Sequence, residues 1–209
     1  MAEPFPLLAH AGFAQQLATT GWTPELLSYP TPHLAPCLLG QTLRVRLPNG
    51  RSHPFTLTEV EAYTQTDPAC HAYGRHPAKG YRGRALTLFA APGTVYVYLI
   101  YGMYFCLNLV TEAEGRAGAL LIRGVRPVAP WQGGRTDGPG RLCRSLGINM
   151  AHNGRSLFAP DASITLEAMP LLSPQQVKAT PRIGISKAQD RLWRFCTTQA
   201  IEPSSKIET

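Results

Sequence analysis

Two carboxylates at Glu59 and Glu61 open the chemistry of this 209-residue sequence, within Phe55-Thr-Leu-Thr-Glu-Val-Glu-Ala-Tyr63. If this run is a strand, period-two alternation puts Phe55, Leu57, Glu59, Glu61 and Tyr63 on one face. Carboxylates sharing a face with Phe, Leu and Tyr lose hydration unless each finds a partner, which marks at least one of them as functional. On an exposed face both would simply be solvated. Same-face residues two apart lie ~7 Å from each other, within the ~6.5–9.5 Å carboxyl separation of inverting glycosidases. A sugar hydrolase using both glutamates is therefore one reading of the spacing. Arg123 sits inside the apolar run Leu120-Leu-Ile-Arg-Gly. A charge embedded there needs a carboxylate or phosphate partner, and Glu61 is the partner expected.

The second concentration of chemistry is Tyr96-Val-Tyr-Leu-Ile-Tyr-Gly-Met-Tyr-Phe-Cys-Leu-Asn108. Gly102-Met103 breaks two strand-prone runs and reads as a hairpin turn. Tyr96 and Tyr98 share a face, where Tyr96 has the ordinary fate of a strand tyrosine, cross-strand packing. Tyr101 and Met103 at the tip have no core to enter, and large side chains on a rigid tip suit a wedge between stacked bases. Asn108 carries an amide that most often bonds to backbone when buried; lining a pocket, it could discriminate purine edges.

Charge is distributed to match. The net charge is +7 and the pI about 9.4, and no acidic residue falls between Asp67 and Glu112. Arg75, Lys79, Arg82 and Arg84 cluster in that interval, forming either a phosphate-binding face or a solvated basic loop. The cysteines, Cys37, Cys70, Cys106, Cys143 and Cys196, are odd in number and have no Cys-x-x-Cys spacing. They read as small core thiols, with neither a disulfide framework nor a zinc site expected. No apolar run reaches the length of a membrane span, and Met1 to Phe13 lacks the order of a signal peptide. A cytoplasmic protein without membrane contact is expected.

These residues need a scaffold, and proline and glycine, nineteen of each, favour short strands and elaborate loops over long helices. Short helical pieces are expected over 14–30 and at Leu34–Gly40. Strands are expected at Thr42–Leu47, Phe55–Tyr63, Thr94–Tyr101, Tyr104–Thr111, Ala117–Val128 and Ile164–Glu167, with helices at Arg141–Leu146 and Pro174–Lys178. A long loop at 64–93 is of the kind that carries function. The sum is one α+β domain over residues 1–209: a curved antiparallel sheet, a protruding hairpin and surrounding short helices. About 1–13 and 202–209 are expected to be flexible.

Glu59-Val-Glu-Ala-Tyr63, Pro92 to Asn108, Leu121-Ile-Arg-Gly-Val-Arg-Pro127 and Gly138-Pro-Gly-Arg-Leu-Cys-Arg-Ser-Leu146 closely resemble the alkyladenine (3-methyladenine) DNA glycosylase family. The likeness runs more faintly through Pro181-Arg-Ile-Gly-Ile185 and Trp193-Arg-Phe195. It implies a mixed α/β fold and a monofunctional enzyme that flips alkylated or deaminated purines out of double-stranded DNA. Lesions of that kind are 3-methyladenine, 7-methylguanine, hypoxanthine and ethenoadenine. By the resemblance, Glu61 matches the catalytic glutamate and Arg123 the arginine that holds the attacking water. Tyr63, His71 and Tyr98 match the aromatic walls of the base pocket, Ala69 a backbone contact to the base, and Asn108 the residue that excludes guanine. Tyr101 matches the tyrosine that fills the gap left by the flipped nucleotide, Met103 is expected beside it at the intercalating tip, and Arg75, Arg84 and Arg141 are the expected DNA-backbone contacts. Relatives often carry Thr-x-Arg-Asn where this chain has Arg82-Gly-Arg-Ala-Leu-Thr-Leu-Phe89, with Arg84 aligned to their arginine. Neither metal nor organic cofactor is implied, and a monomer is expected.

Overall fold

The computed structural model describes residues 5–198. Its centre is an antiparallel sheet of eight strands: β1 (Thr42–Arg46), β2 (Ser52–Thr64), β3 (Val95–Ile100), β4 (Tyr104–Thr111), β5 (Gly118–Pro127), β6 (Ile164–Glu167), β7 (Val177–Thr180) and β8 (Arg194–Thr197). The strand order is β3-β4-β5-β2-β1-β6, while β8 joins β2 beyond the end of β1 and carries β7. Helices α1 (Ala11–Thr20), α2 (Pro24–Leu27), α3 (Thr31–Leu38) and α4 (Pro139–Leu146) surround it. The expected α+β architecture with one curled antiparallel sheet and short helices is the one found. No helix among the described residues is long and apolar enough to cross a membrane.

Alternation along the strands assigns the two faces. Val95 and Val97, Leu107 and Leu109, Leu120 and Ile122, and Val60 and Ala62 enter the main core, against α1 to α4. Their neighbours Tyr96, Tyr98, Cys106, Asn108, Ala119, Leu121 and Tyr63 turn to the opposite face, under the 64–93 loop. That loop is not structureless. It carries 3-10 turns at Pro77–Lys79 and Arg84–Phe89, and Ala85, Leu88 and Phe89 form a second small core with Tyr96 and Val110.

One irregularity decides where the glutamates point. The β2–β5 register breaks at Leu57/Glu59 and Glu59/Val60. Phe55 and Leu57 before the break, and Val60 and Ala62 after it, all lie in the main core. A bulge displaces the alternation by one, so Glu59, Glu61 and Tyr63 do not share a face with Phe55 and Leu57 as simple period two requires. β5 makes the same exchange, with Leu120 and Ile122 but then Val125 in the core.

The ends of the elements show two further differences. The hairpin turn is centred on Tyr101 and Gly102 rather than Gly102 and Met103, both with positive φ (51° and 69°), and is closed by the Met103 N–H donating to Ile100 O. Pro174–Gln176 is a 3-10 turn that passes at once into β7, because its proline start supports one turn while Val177 pairs with β8. Within the N-terminal segment expected to be flexible, Phe5, Leu7 and Phe13 are buried; residues 1–4 and 202–209 lie outside the described residues.

Candidate functional site: a buried carboxylate beside an aromatic pocket

One row of paired residues crosses four strands. Glu61 faces Leu121, Leu121 faces Asn108, and Asn108 faces Tyr96. At ~4.8 Å between strands the row spans ~14 Å. Above it opens a pocket of about 540 Å³ whose lining includes Tyr63, Ala69, His71, Tyr98, Asn108 and Arg123. Ligand pockets are typically about 300–1,000 Å³, so a heterocyclic base fits this space.

Glu61 is fully buried next to the pocket. Its Oε2 accepts from the Tyr63 hydroxyl at 2.8 Å, and its Oε1 from the Ile183 N–H at 2.8 Å. Each carboxylate oxygen keeps a second lone pair, so a water could still be held and deprotonated. Burial and the adjacent Glu61 carboxylate push the Tyr63 phenol well above its ordinary pKa, which keeps it a donor.

Arg123 is not primarily the partner of Glu61. Its Nε donates to Glu59 Oε1 at 2.8 Å and lies 3.4 Å from Glu61 Oε1. Arg194 Nε reaches the same Glu59 oxygen at 2.6 Å. Glu59 is thus bound by two guanidinium groups and is not among the residues that line the pocket, which gives a two-glutamate sugar hydrolase no support.

The pocket walls are fixed by polar contacts behind them. His71 Nδ1 lies 3.0 Å from the Tyr96 hydroxyl, and Arg84 Nη2 lies 3.3 Å from His71 Nε2. An arginine only donates, so Nε2 accepts and the Nδ1–H donates to Tyr96. Burial first, then Arg84 and Arg75, lower the His71 pKa to about 4. The imidazole is therefore neutral at physiological pH. Tyr96 and Tyr98 stack with centroids 5.3 Å apart, and His71 meets Tyr98 edge-on at 4.6 Å. Asn108 donates its amide to the carbonyls of Tyr96 (3.1 Å) and Cys106 (3.4 Å). Its backbone bonding and its place in the pocket are thus combined, and the pocket wall carries an amide that cannot swing away. The Ala69 N–H is occupied by Asp67 Oδ1 at 3.2 Å.

Tyr101 is 85% exposed and Met103 66% exposed, and Tyr101 lines the pocket mouth. A non-glycine residue at positive φ costs about 1–3 kcal/mol and persists where something requires it. The arginines expected at a phosphate backbone diverge. Arg84 sits 5.4 Å over the Tyr98 ring, Arg75 bonds the His71 carbonyl, and Arg141 donates to the Asp137 carbonyl at 2.6 Å.

Sequence reasoning assigned no role to the segment that completes the site. Ile183, Gly184, Ile185, Ser186 and Lys187 line the pocket, and Ile183 supplies the N–H on Glu61. Arg182 is buried, forms a bidentate pair with the fully buried Asp67, donates to Ala62 O at 2.8 Å, and lies 4.6 Å over the Tyr63 ring. Arg194 was likewise missed. The available signal was Pro181-Arg-Ile-Gly-Ile185, an arginine beside apolar and glycine positions in a polar tail. Its partners, more than a hundred residues away, leave no local trace.

Residues 25–200 match the family model described as methylpurine-DNA glycosylase. A Wolbachia pipientis wMel protein is 46% identical over 167 residues, covering 79% of this chain and 85% of its own length. A Salinibacter ruber (strain DSM 13855 / M31) protein is 40% identical over 199 residues, covering 84% and 93%. A Synechococcus sp. (strain JA-3-3Ab) protein is 40% identical over 185 residues, covering 82% and 92%. All three are provisionally named 3-methyladenine DNA glycosylases. Such likeness defines the class, a DNA glycosylase: a repair hydrolase that acts on N-glycosyl bonds. The chain belongs to the methylpurine-DNA glycosylase family.

Proposed function

We propose that this protein flips a damaged purine out of duplex DNA into the pocket and hydrolyses its glycosidic bond with a water activated by Glu61. The observation that carries the reading is the fully buried Glu61 carboxylate, held by Tyr63 and Ile183 at the edge of an aromatic pocket. Glu61 takes a proton from water as that water attacks the sugar C1′, and its charge stabilises the oxocarbenium-like transition state. Arg123 holds the water. Tyr63, His71 and Tyr98 enclose the base, and cation–π attraction of about 0.5–2 kcal/mol per contact favours an alkylated, positively charged purine. A neutral His71 adds no repulsion to that cation. Asn108 crowds out guanine, and Ala69 lies alongside the base. Tyr101 and Met103 enter the stack in place of the flipped nucleotide, which costs least for a weakly paired lesion. Arg75, Arg84 and Arg141 face the phosphates.

The substrates in this reading are 3-methyladenine, 7-methylguanine, hypoxanthine and ethenoadenine in double-stranded DNA, the protein acting as a cytoplasmic monomer without metal or cofactor. The product is an abasic site with the strand uncut. Duplexes carrying each lesion are incubated with the protein and then cleaved at abasic sites by alkali. Alkali-dependent cleavage is expected with the native chain and none with Glu61→Gln, which keeps its affinity for abasic-like DNA. Full excision by Glu61→Gln would remove Glu61 from the reaction. Binding without excision by the native chain would instead leave a damage-binding protein.

A further inference from the structure

We infer that Glu59 is a positioning residue for the excision reaction: it holds Arg123 by Nε, keeping that cation partly off Glu61 and its two terminal NH2 groups free for the substrate. The inference rests on the reading of Glu61 and Arg123 given above. Arg123 Nε lies 2.8 Å from Glu59 Oε1 and 3.4 Å from Glu61 Oε1. It is thus bonded to one carboxylate and only adjacent to the other. Among the described residues neither Nη1 nor Nη2 of Arg123 has a hydrogen-bond partner, although the side chain is largely buried and lines the pocket. A guanidinium anchored by Nε presents its Nη groups in a fixed direction, because the group is planar.

Alternation alone would not allow this triangle. The β2–β5 irregularity pairs Glu59 with Gly124 and leaves Arg123 without a direct cross-strand partner between Val60–Ile122 and Glu59–Gly124. A Cβ on Gly124 would lie 3.2 Å from Glu59 Cβ and 3.0 Å from Thr58 Oγ1, so glycine gives Glu59 the room to lean toward Arg123. Arg194 fixes Glu59 from β8 at 2.6 Å, and its Nη1 reaches Thr180 Oγ1 at 3.1 Å. The carboxylate is therefore braced from two strands. Without Glu59, the nearest anion for Arg123 is Glu61 itself. A direct bond there would occupy the oxygen that the Ile183 N–H already uses and turn the NH2 groups away from the attacking water.

Glu59→Gln tests this in single-turnover excision and in binding to abasic-analogue duplex, measured separately. A loss on the order of 10- to 100-fold in the excision rate is expected, the scale of an ångström-size misplacement, with duplex affinity changed less than about twofold. In a cycle with Arg123→Gln, the double variant is expected to be no slower than Arg123→Gln alone, because Glu59 acts through Arg123. Glu59→Asp is expected to recover part of the rate. If Glu59→Gln does not fold with Arg194 unpaired, the Glu59→Gln, Arg194→Gln pair removes both charges and carries the same expectation. An unchanged excision rate in a folded variant would overturn the inference, as would additive losses in the cycle. Failure of the underlying reading looks different: Glu61→Gln itself would then remain active.

Discussion

Acidification is expected to destabilise this fold through His71 before it titrates most carboxylates. The ring is partly buried against Tyr96 and Tyr98, its Nε2 accepts from Arg84, and its pKa is lowered from 6.5 to about 4. The folded value lies below the unfolded one, so the unfolded chain takes up the proton first as pH falls. Stability from neutral His71 is thus complete above about pH 6.5 and lost progressively toward pH 4. Between pH 7 and pH 5 the linkage amounts to about 2 kcal/mol at about 1.4 kcal/mol per pH unit. The ring borders an open pocket, and solvent screening reduces that to about 1 kcal/mol. Urea unfolding of the native chain and of His71→Gln at both pH values reads the difference. The native chain should lose about 1 kcal/mol more than the variant. Equal losses would show that the ring is either solvated enough to titrate normally or already charged, and the neutral pocket wall would be refuted.

Other expectations follow from single contacts. Arg182→Met leaves the fully buried Asp67 with only the more distant Arg191 and the Ala69 N–H and should cost about 3–5 kcal/mol in chemical denaturation, much of it restored by adding Asp67→Asn. Tyr101→Asn relieves positive φ at the first central position of the hairpin turn. It should raise stability by about 0.5–1 kcal/mol yet weaken lesion-duplex affinity in a gel-shift titration; weaker binding together with a lower melting temperature would contradict the division between fold and function. Gly118→Ala would set a Cβ 2.5 Å from Thr31 Oγ1 and nearer still to Glu112 Cγ, disturbing the buried bonds between Thr31 and Glu112. A loss of about 1–3 kcal/mol is expected on thermal melting.

Much of this site was legible because strands write their faces into the sequence. Tyr96 and Tyr98 could be placed on one face from alternation, and Tyr101 at the tip from the lack of any core beside Gly102, whereas Asn108 reached the pocket only through the resemblance. The glutamates show where such reading fails. Both were found, but their facing was derived with Phe55 and Leu57, and a bulge shared by two strands reversed it. A bulge is a property of a pair of strands, so neither β2 nor β5 announces it alone. The same holds for Arg123, whose nearer carboxylate is Glu59, and for Arg182, which finds Asp67 across 115 residues. Arginines bind what the fold brings to them, and their chain neighbours carry no record of it.

The charges around the pocket impose a conflict that its walls resolve. Glu59, Glu61 and Asp67 are met by Arg123, Arg194, Arg182 and Arg191, with Arg84 and Arg75 beside His71. That excess of cations suits a nucleotide carrying phosphates but opposes an alkylated base that is itself positive. Three features soften the opposition. Arg123 and Arg194 converge on Glu59, Arg182 lies behind Tyr63 paired with Asp67, and His71 stays neutral. What faces the pocket is then aromatic surface, an amide and the Glu59-anchored Arg123, with Lys187 at its edge and the charges of Arg182 and Arg194 kept behind it. Under the proposed function, discrimination between a cationic and a neutral purine would then depend on how well those pairs hold their charges away. Excision of 7-methylguanine should therefore decline more than excision of hypoxanthine when pH falls through the His71 range. An unchanged ratio of the two rates between pH 6 and pH 4, where about half of the folded His71 is charged, would separate base preference from the charge of that wall.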